Sequence, residues 1–441
     1  MFYIVEEESK LSSLEGLVKL GCYVDIIPAN DLYHPRLNHT VAVYIRIVNS
    51  KHGYIIPINH DEGLNVDKNR VYEILSKASK LYTLNKKKLL YYFNLQDAID
   101  LSLLYSMVKF DRLEIPGDNS TINYFYNRHS TKRDLNSIIP IAKLYEKSEN
   151  IYESIKETIN LEIPSGFDFY NKIATNVFYL LEQSGVGIIY DSFNNLFKPK
   201  NPLYNTADNT VFTEYNLYNN TSRPTNTFNS VNFAAIPKAE EYRKCFKPQN
   251  DYFVEFDFDG YHLRLLADQL NYHLTEESAH KQLAKQYFGK NKITDEEYAK
   301  AKQINFHAIY GKIPEEHKNL KIFKEIQEYI DSIWREYNSL GSVFNPQSEK
   351  AFNKELKDMN PAKLMNYMMQ SLETSNNIII LKDILKYLKD KKSFITLYTY
   401  DAILFDFSKE DGKQVLEDIK QIMEKQGKYP VKFKYNTNLV L

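Results

Sequence analysis

Between residues 41 and 57 the sequence VAVYIRIVNSKHGYIIP alternates apolar and polar side chains on both sides of a Ser-Lys-His-Gly break. A period of two interrupted by turn residues predicts a β-hairpin. Apolar residues then recur at three- and four-residue spacing over 71–81 and 97–108, predicting two helices, and the polar stretch 119–134 closes a small α/β region. Residues 169–185 keep the helical period and end on Gly185. From 201 to 232 Asn and Thr dominate, with a strand-like run at 211–218.

The second half is more sharply punctuated. YFVEFDF, residues 252–258, has strand composition and runs into Gly260 and the helix-like YHLRLLADQL. Thr294 and Glu297 have capping-box spacing, and the helix they start sets Tyr298, Lys302, Phe306 and Tyr310 at four-residue intervals before Gly311. FITLYTYDAILFDF, residues 394–407, reads as two strands with Asp401 near the bend between them. The pattern is that of an α+β protein.

At 441 residues the chain exceeds what one core usually supports, so two or three domains are expected. No run of 18 or more apolar residues occurs, and the opening MFYIVEEESK has neither a basic leader nor an apolar core. A cytoplasmic protein without a membrane partner is the expectation. Cys22 and Cys245 alone exclude a disulfide framework and a four-thiolate zinc site. The net charge of -1 leaves nucleic acid open, because a basic channel can be offset by acidic surface elsewhere. Recurrent Lys, Asn and Ile fit an AT-rich coding sequence and suggest a phage or other mobile element, in which case the cytoplasm is the host's.

Asp257 closes a predicted strand and Asp401 sits at a predicted bend. Both are places where a carboxylate can leave a sheet and hold a divalent cation. Two such aspartates on adjacent strands suit two Mg²⁺ ions roughly 4 Å apart, clamping the attacking and leaving oxygens of an in-line displacement. Taken singly, such an aspartate is more often a turn former or cap, and an aromatic stripe on a helix is more often core packing. A lysine on the same helix face as aromatic rings adds what a nucleotide needs: an ammonium over the triphosphate and a ring beside base and sugar.

These residues resemble the motifs of family A DNA polymerases, the family of bacterial DNA polymerase I. DFDGYHLR (257–264) is similar to motif A, KQINFHAIYG (302–311) to motif B and Tyr400-Asp401-Ala402 to motif C. SRPTNTFNSVNFAAIP (222–237) resembles the Arg-led segment at the primer terminus, and NYMMQ (366–370) the Asn and Gln minor-groove pair. Five blocks in the expected order, from Arg223 to the C-terminus, argue against coincidence. The resemblance implies a right-hand polymerase, with an antiparallel-sheet palm, helical fingers and a reduced thumb, preceded by a small α/β exonuclease-like domain. Its expected bounds are 1–150 for the exonuclease-like domain and 151–441 for the polymerase, with palm at 168–264 and 345–441, fingers at 265–344 and thumb reduced to 192–210.

The resemblance also implies roles. Asp257 and Asp401, with the backbone carbonyl of Phe258, would hold two Mg²⁺ ions, Mn²⁺ being the alternative. Lys302, Phe306, Tyr310 and His262 would face the incoming deoxynucleoside triphosphate, and Arg223, Arg264, Asn366, Gln370 and Tyr400 would contact primer-template DNA. Several positions depart from the pattern. His262 stands where the family has a glutamate that crowds the sugar 2′ position, Ala402 where motif C has a further acid, and Tyr298 where motif B has a basic residue, with Lys300 as the candidate substitute. In the N-terminal domain the first carboxylate pair of an exonuclease is expected at Glu6 and Glu8, while LNKKKLLYYF contains no acid, so proofreading chemistry is expected to be absent. FNNLFKPKNPLYNTADNT, 193–210, is too rich in Pro and Asn for a pair of long thumb helices, so a processivity or replisome protein is expected in the thumb's place. Competing readings are a single-subunit RNA polymerase, a non-catalytic polymerase-like subunit and, on Asp257-Phe258-Asp259 alone, a glycosyltransferase.

Overall fold

In the computed structural model, which describes residues 2–275, 278–425 and 427–441, the alternating run at 41–57 folds into two antiparallel strands. They belong to a six-stranded sheet whose strands are β1 (Phe2–Ile4), β2 (Cys22–Pro28), β3 (Thr40–Ile47), β4 (Gly53–Pro57), β5 (Leu81–Thr83) and β6 (Ile99–Asp100), in spatial order β1-β4-β3-β2-β5-β6. The β2–β3–β4 meander is antiparallel, and β1 and β5 join it in parallel. Every residue of β3 is buried, which is why its sequence is apolar on both faces. Val24, Ile26, Val43, Ile45 and Ile56 pack there with Leu11, Leu14, Val71, Ile74 and Leu89 from the helices. Each such side chain contributes about 1.5–3 kcal/mol on burial. Arg46, the exception, is paired with Glu149 at 2.8 Å and Glu153 at 3.4 Å.

This sheet lies in the first of two compact units, comprising Met1–Gly185, Tyr190–Tyr218 and Asn226–Phe233; the second comprises Val186–Ile189, Asn219–Thr225 and Ala234–Leu441. These units do not divide at 150/151, a position inside the helix Ile141–Ile155. Other elements also differ from the expected ones. The helix read at 71–81 is Lys68–Leu75, because Leu81 is claimed by β5 beside β2. That read at 97–108 starts at Leu101, where Asp100 caps it by accepting from the Leu103 N–H. The polar stretch 119–134 is not a break: Asn119 caps the helix Ser120–His129. Residues 169–185 form a π-helical turn, Phe169–Ala174, followed by the α-helix Thr175–Leu181. The strand read at 211–218 is two short pieces, Thr210–Val211 and Tyr215–Asn216.

Glu6 and Glu8 do not make a paired site. They follow the edge strand β1, where Glu6 accepts from the Leu64 N–H at 3.2 Å and Glu8 pairs with Arg70 at 3.0 Å. The acid of the central strand β2 is Asp25, which accepts from the Ser148 hydroxyl at 2.7 Å and is held above the ordinary carboxylate range by burial. Nearby Asp31 is neutralised by Lys147 at 2.7 Å and Lys88 at 3.6 Å. Residues 193–210 hold the end of the helix Tyr190–Phe197, a 3-10 turn at Pro202–Tyr204 and a two-stranded hairpin, with no long helix.

The second unit is built on a four-stranded antiparallel sheet of β7 (Tyr252–Phe258), β8 (Phe394–Thr399), β9 (Ala402–Phe407) and β10 (Val431–Asn436), in the order β8-β9-β7-β10. Asp257 stands opposite Ala402 on one side and Lys432 on the other. Three helices frame the end of this sheet: α1 (Tyr261–Gln269), α2 (Asp295–Ile309) and α3 (Pro361–Tyr387).

In the first unit one buried ion pair ties three segments together. Glu182, 1 % exposed, faces the Lys87 ammonium, accepts from the Tyr215 N–H at 2.6 Å and from the Tyr91 hydroxyl at 3.1 Å; burial pushes it up to about 7. Removing one partner of such a pair leaves the other charge buried alone. Glu182→Ala is therefore expected to cost about 3–5 kcal/mol. Hydrogen exchange of the helix Lys86–Tyr92 reads this as faster opening, and unchanged protection would contradict it.

Candidate active site

Strand β7 ends at Phe258, and the chain turns at Gly260, where φ is +63°, to enter α1. A Cβ at that position would lie 3.3 Å from the Ala279 methyl, so both the backbone angle and the space favour glycine. The turn leaves Asp257 as the last side chain on its face of the strand. Two residues separate β8 from β9, Tyr400 and Asp401, with Tyr400 at φ +65°. The Phe258 N–H donates to the Asp401 carbonyl at 3.1 Å, continuing the ladder one step beyond the last strand pair and fixing Asp401 beside Asp257.

The two carboxylates repel. Burial, then the Asp401 charge, push Asp257 up to about 6. Asp401 opens to solvent, yet packed surroundings and the Glu373 carboxylate hold it above its ordinary range. A pair of hard oxygen donors carrying excess negative charge fits a divalent cation. Among the described residues no group of three or more His, Cys, Asp or Glu is close enough to form an all-protein cage.

Helix α2 forms because Thr294 caps it in a complete capping box: Thr294 accepts from the Glu297 N–H at 3.2 Å and Glu297 accepts from the Thr294 N–H at 3.0 Å. It ends at Tyr310 with Gly311 at φ +79°. Tyr298, Lys302, Phe306 and Tyr310 all line one cleft of about 940 Å³ together with Asp257, Phe258, His262, Arg223, Asn366, Gln370 and Asp401. Phe306 is 59 % exposed, an aromatic ring presented to solvent inside the cleft. Lys300 does not line the cleft; its ammonium lies over the Phe288 ring at 6.0 Å.

Helix α3 supplies the opposite wall. Asn360 caps its start, and Asn366 and Gln370, one turn apart, bond to each other at 2.9 Å. Asn377 donates to the Tyr400 carbonyl at 2.6 Å and to the Tyr398 hydroxyl at 3.0 Å, holding the Asp401 bend against the helix. Arg223 stacks its guanidinium on the Tyr400 ring at 3.8 Å.

The family model of DNA polymerase family A matches residues 194–359, which include Arg223, Asp257, α1 and α2. Over those residues the chain is similar to DNA polymerase family A. A solved structure, the POL domain of Pol1 from M. smegmatis in complex with DNA primer-template and dNTP, matches with a TM-score of 0.69 at 12 % identity, covering 100 % of this chain and 99 % of that one. At that identity the match speaks to fold alone, and the chain shares the α+β architecture of that domain. No curated protein sequence matches the chain.

The cleft thus gathers most of the residues that the sequence singles out, but neither Tyr400 nor Arg264 lines it. Tyr400 meets it only through Arg223, which stacks on its ring. Arg264 is 4 % exposed, and its guanidinium donates to the carbonyls of Asp259 at 2.9 Å and Thr275 at 3.0 Å, so it braces the turn after β7. Sequence reasoning missed Glu373, 1 % exposed at the cleft floor between Arg223 and His262. The signal was its spacing of three from Gln370 on the same helical face.

The raised Asp257 sets a stability signature. A carboxyl whose folded-state pKa exceeds its unfolded value destabilises the fold once ionised, so the penalty is fully present above about 6 and fades as pH falls toward 4. Asp257→Asn is expected to raise the melting temperature at neutral pH in metal-free buffer, with the gain shrinking below about 6. A lowered melting temperature at neutral pH would show that the carboxylate is stabilised in the fold.

Proposed function

We propose that this polymerase adds deoxynucleotides to a primer 3′ end under the direction of a template, by a two-metal mechanism and without proofreading. The observation that carries the reading is the meeting in one cleft of Asp257 and Asp401 with Lys302 and Tyr310, which come from separate segments of the chain. Two divalent cations, Mg²⁺ or Mn²⁺, held by Asp257, Asp401 and the Phe258 carbonyl, would lower the pKa of the primer 3′-hydroxyl and neutralise charge on the phosphates.

The chain's own residues supply position and charge. Lys302 is exposed on the cleft side of α2, free to meet the triphosphate as a point charge. Phe306 and Tyr310 give faces for the nascent base pair, and His262 stands beside Tyr310 where the sugar enters. Arg223, carried on the Tyr400 ring, approaches the primer end, and the Asn366–Gln370 pair offers donors and acceptors to base edges. Palm, fingers and thumb are assigned to 168–264 with 345–441, 265–344 and 192–210.

Two losses accompany this. In the exonuclease-like region Asp31 is occupied by two lysines and Asp25 by Ser148, which supports a scaffold without hydrolytic chemistry. The short elements at 193–210 support a thumb too small to hold the duplex, and affinity falls with every backbone phosphate left ungripped. A processivity or replisome protein would supply the missing grip.

Purified Asp401→Asn is expected to bind primer-template yet add no nucleotide from any of the four deoxynucleoside triphosphates with Mg²⁺; extension at near wild-type rate would sink the two-aspartate assignment. Wild-type chain challenged with a DNA trap after a single encounter is expected to add only a few nucleotides before release, and fewer as salt rises. Long products from the chain alone would show that the small thumb needs no substitute.

A further inference from the structure

Glu373 has no part in the roles given above, yet it is the most enclosed carboxylate of the cleft. Its two oxygens meet two basic side chains. Oε2 lies 3.0 Å from Arg223 Nε, and Oε1 lies 3.4 Å from the Arg223 terminal nitrogen and 3.2 Å from His262 Nε2. The other imidazole nitrogen, Nδ1, lies 3.0 Å from the Tyr310 hydroxyl, and the two rings stand perpendicular at 89°. One buried side chain on α3 therefore reaches the Arg223 segment directly, and through His262 on α1 it reaches the end of α2.

The protonation of His262 follows from this geometry. Nε2 is buried and makes no hydrogen bond of good geometry, its near polar neighbour being Glu373 Oε1 at 3.2 Å. A bare lone pair on Nε2 facing a carboxylate at that distance would be repelled, whereas an N–H is attracted. Nε2 therefore carries a proton, and Nδ1 is left to meet the Tyr310 hydroxyl. With both nitrogens engaged the ring cannot swing about its two side-chain bonds.

Resting on the polymerase reading and extending it, we propose that Glu373 is a positioning residue for sugar selection: by facing the Nε2 proton it holds the His262 imidazole against Tyr310 as a fixed wall where the incoming sugar enters. A 2′-hydroxyl must displace that wall, and displacing it separates the ring from Glu373 or from Tyr310. Without the carboxylate the ring is held at one nitrogen only and yields more readily. Arg223 shares the same carboxylate, so Glu373 also neutralises the arginine beside Asp401, and the test must separate the two effects.

Single-nucleotide incorporation on one primer separates them, because any change at the primer end affects ribo- and deoxynucleotides alike and cancels in their ratio. Glu373→Gln is expected to raise the ribonucleotide to deoxynucleotide ratio about threefold to tenfold, because an amide oxygen attracts the facing N–H less strongly than a carboxylate does. In a His262→Ala background the same substitution is expected to leave the ratio unchanged. An unchanged ratio in the first background, or an equal rise in both, overturns the proposal. A second measurement needs no variant: ¹⁵N NMR of the imidazole in the wild-type chain is expected to show His262 protonated at Nε2, and a ring protonated at Nδ1 alone overturns the Glu373 contact. A wild-type chain that incorporates neither nucleotide would sink the polymerase reading and the sugar role with it, while the NMR result still decides the contact.

Discussion

The register of β7 against β9 is the constraint from which the cleft follows. Opposing Asp257 to Ala402 leaves Asp401 one step past the ladder, where the Phe258 N–H catches its carbonyl. A one-residue slip would send Asp257 to the other face of the sheet, among Phe256, Phe405 and Phe433. That apolar face fixes the register, because Phe256 and Phe405 are almost wholly buried. The hydrophobic pattern of two strands thus decides where two charges meet, and the charges themselves oppose the arrangement.

The surroundings manage that opposition with local pairs. Lys432 pairs with Asp259 at 2.8 Å, Arg264 braces the same aspartate's turn, and Arg223 is split between Glu373 and the Tyr400 ring. None of these cations pairs with Asp257 directly, and burial beside the Asp401 carboxylate leaves it raised to about 6. Strained charge of this kind gathers at functional sites, and packing elsewhere in the fold carries its cost.

The sequence made the second unit legible where local signals and tertiary need agreed. YFVEFDF and FITLYTYDAILFDF became strands at the expected residues, and the Thr294–Glu297 box set the phase that turns Lys302, Phe306 and Tyr310 into one cleft. The first unit was less legible because its elements are short and borrowed. Leu81 looks like the end of a helix until β2 recruits it into a sheet, and Asn119 looks like loop until it caps a helix. Arg264 and Glu373 mark the remaining limit. One is an arginine in a motif that proves to be internal bracing, the other an acid in an ordinary stretch that proves central, and only their surroundings in the fold distinguish them.

On helix α3, Gln370, Glu373 and Asn377 follow one another on the face that meets the cleft and the Asp401 bend. A helix advances about 100° per residue. One residue inserted between Gln370 and Asn377 would turn the distal half of the helix by that angle and carry Asn377 off the face from which it donates to the Tyr400 carbonyl. Length variation in descendants of this gene should therefore collect in the connections around the helix, such as the hairpin Ser342–Asn353 before it, and spare its interior, which works as a ruler between Glu373 and the Asp401 bend.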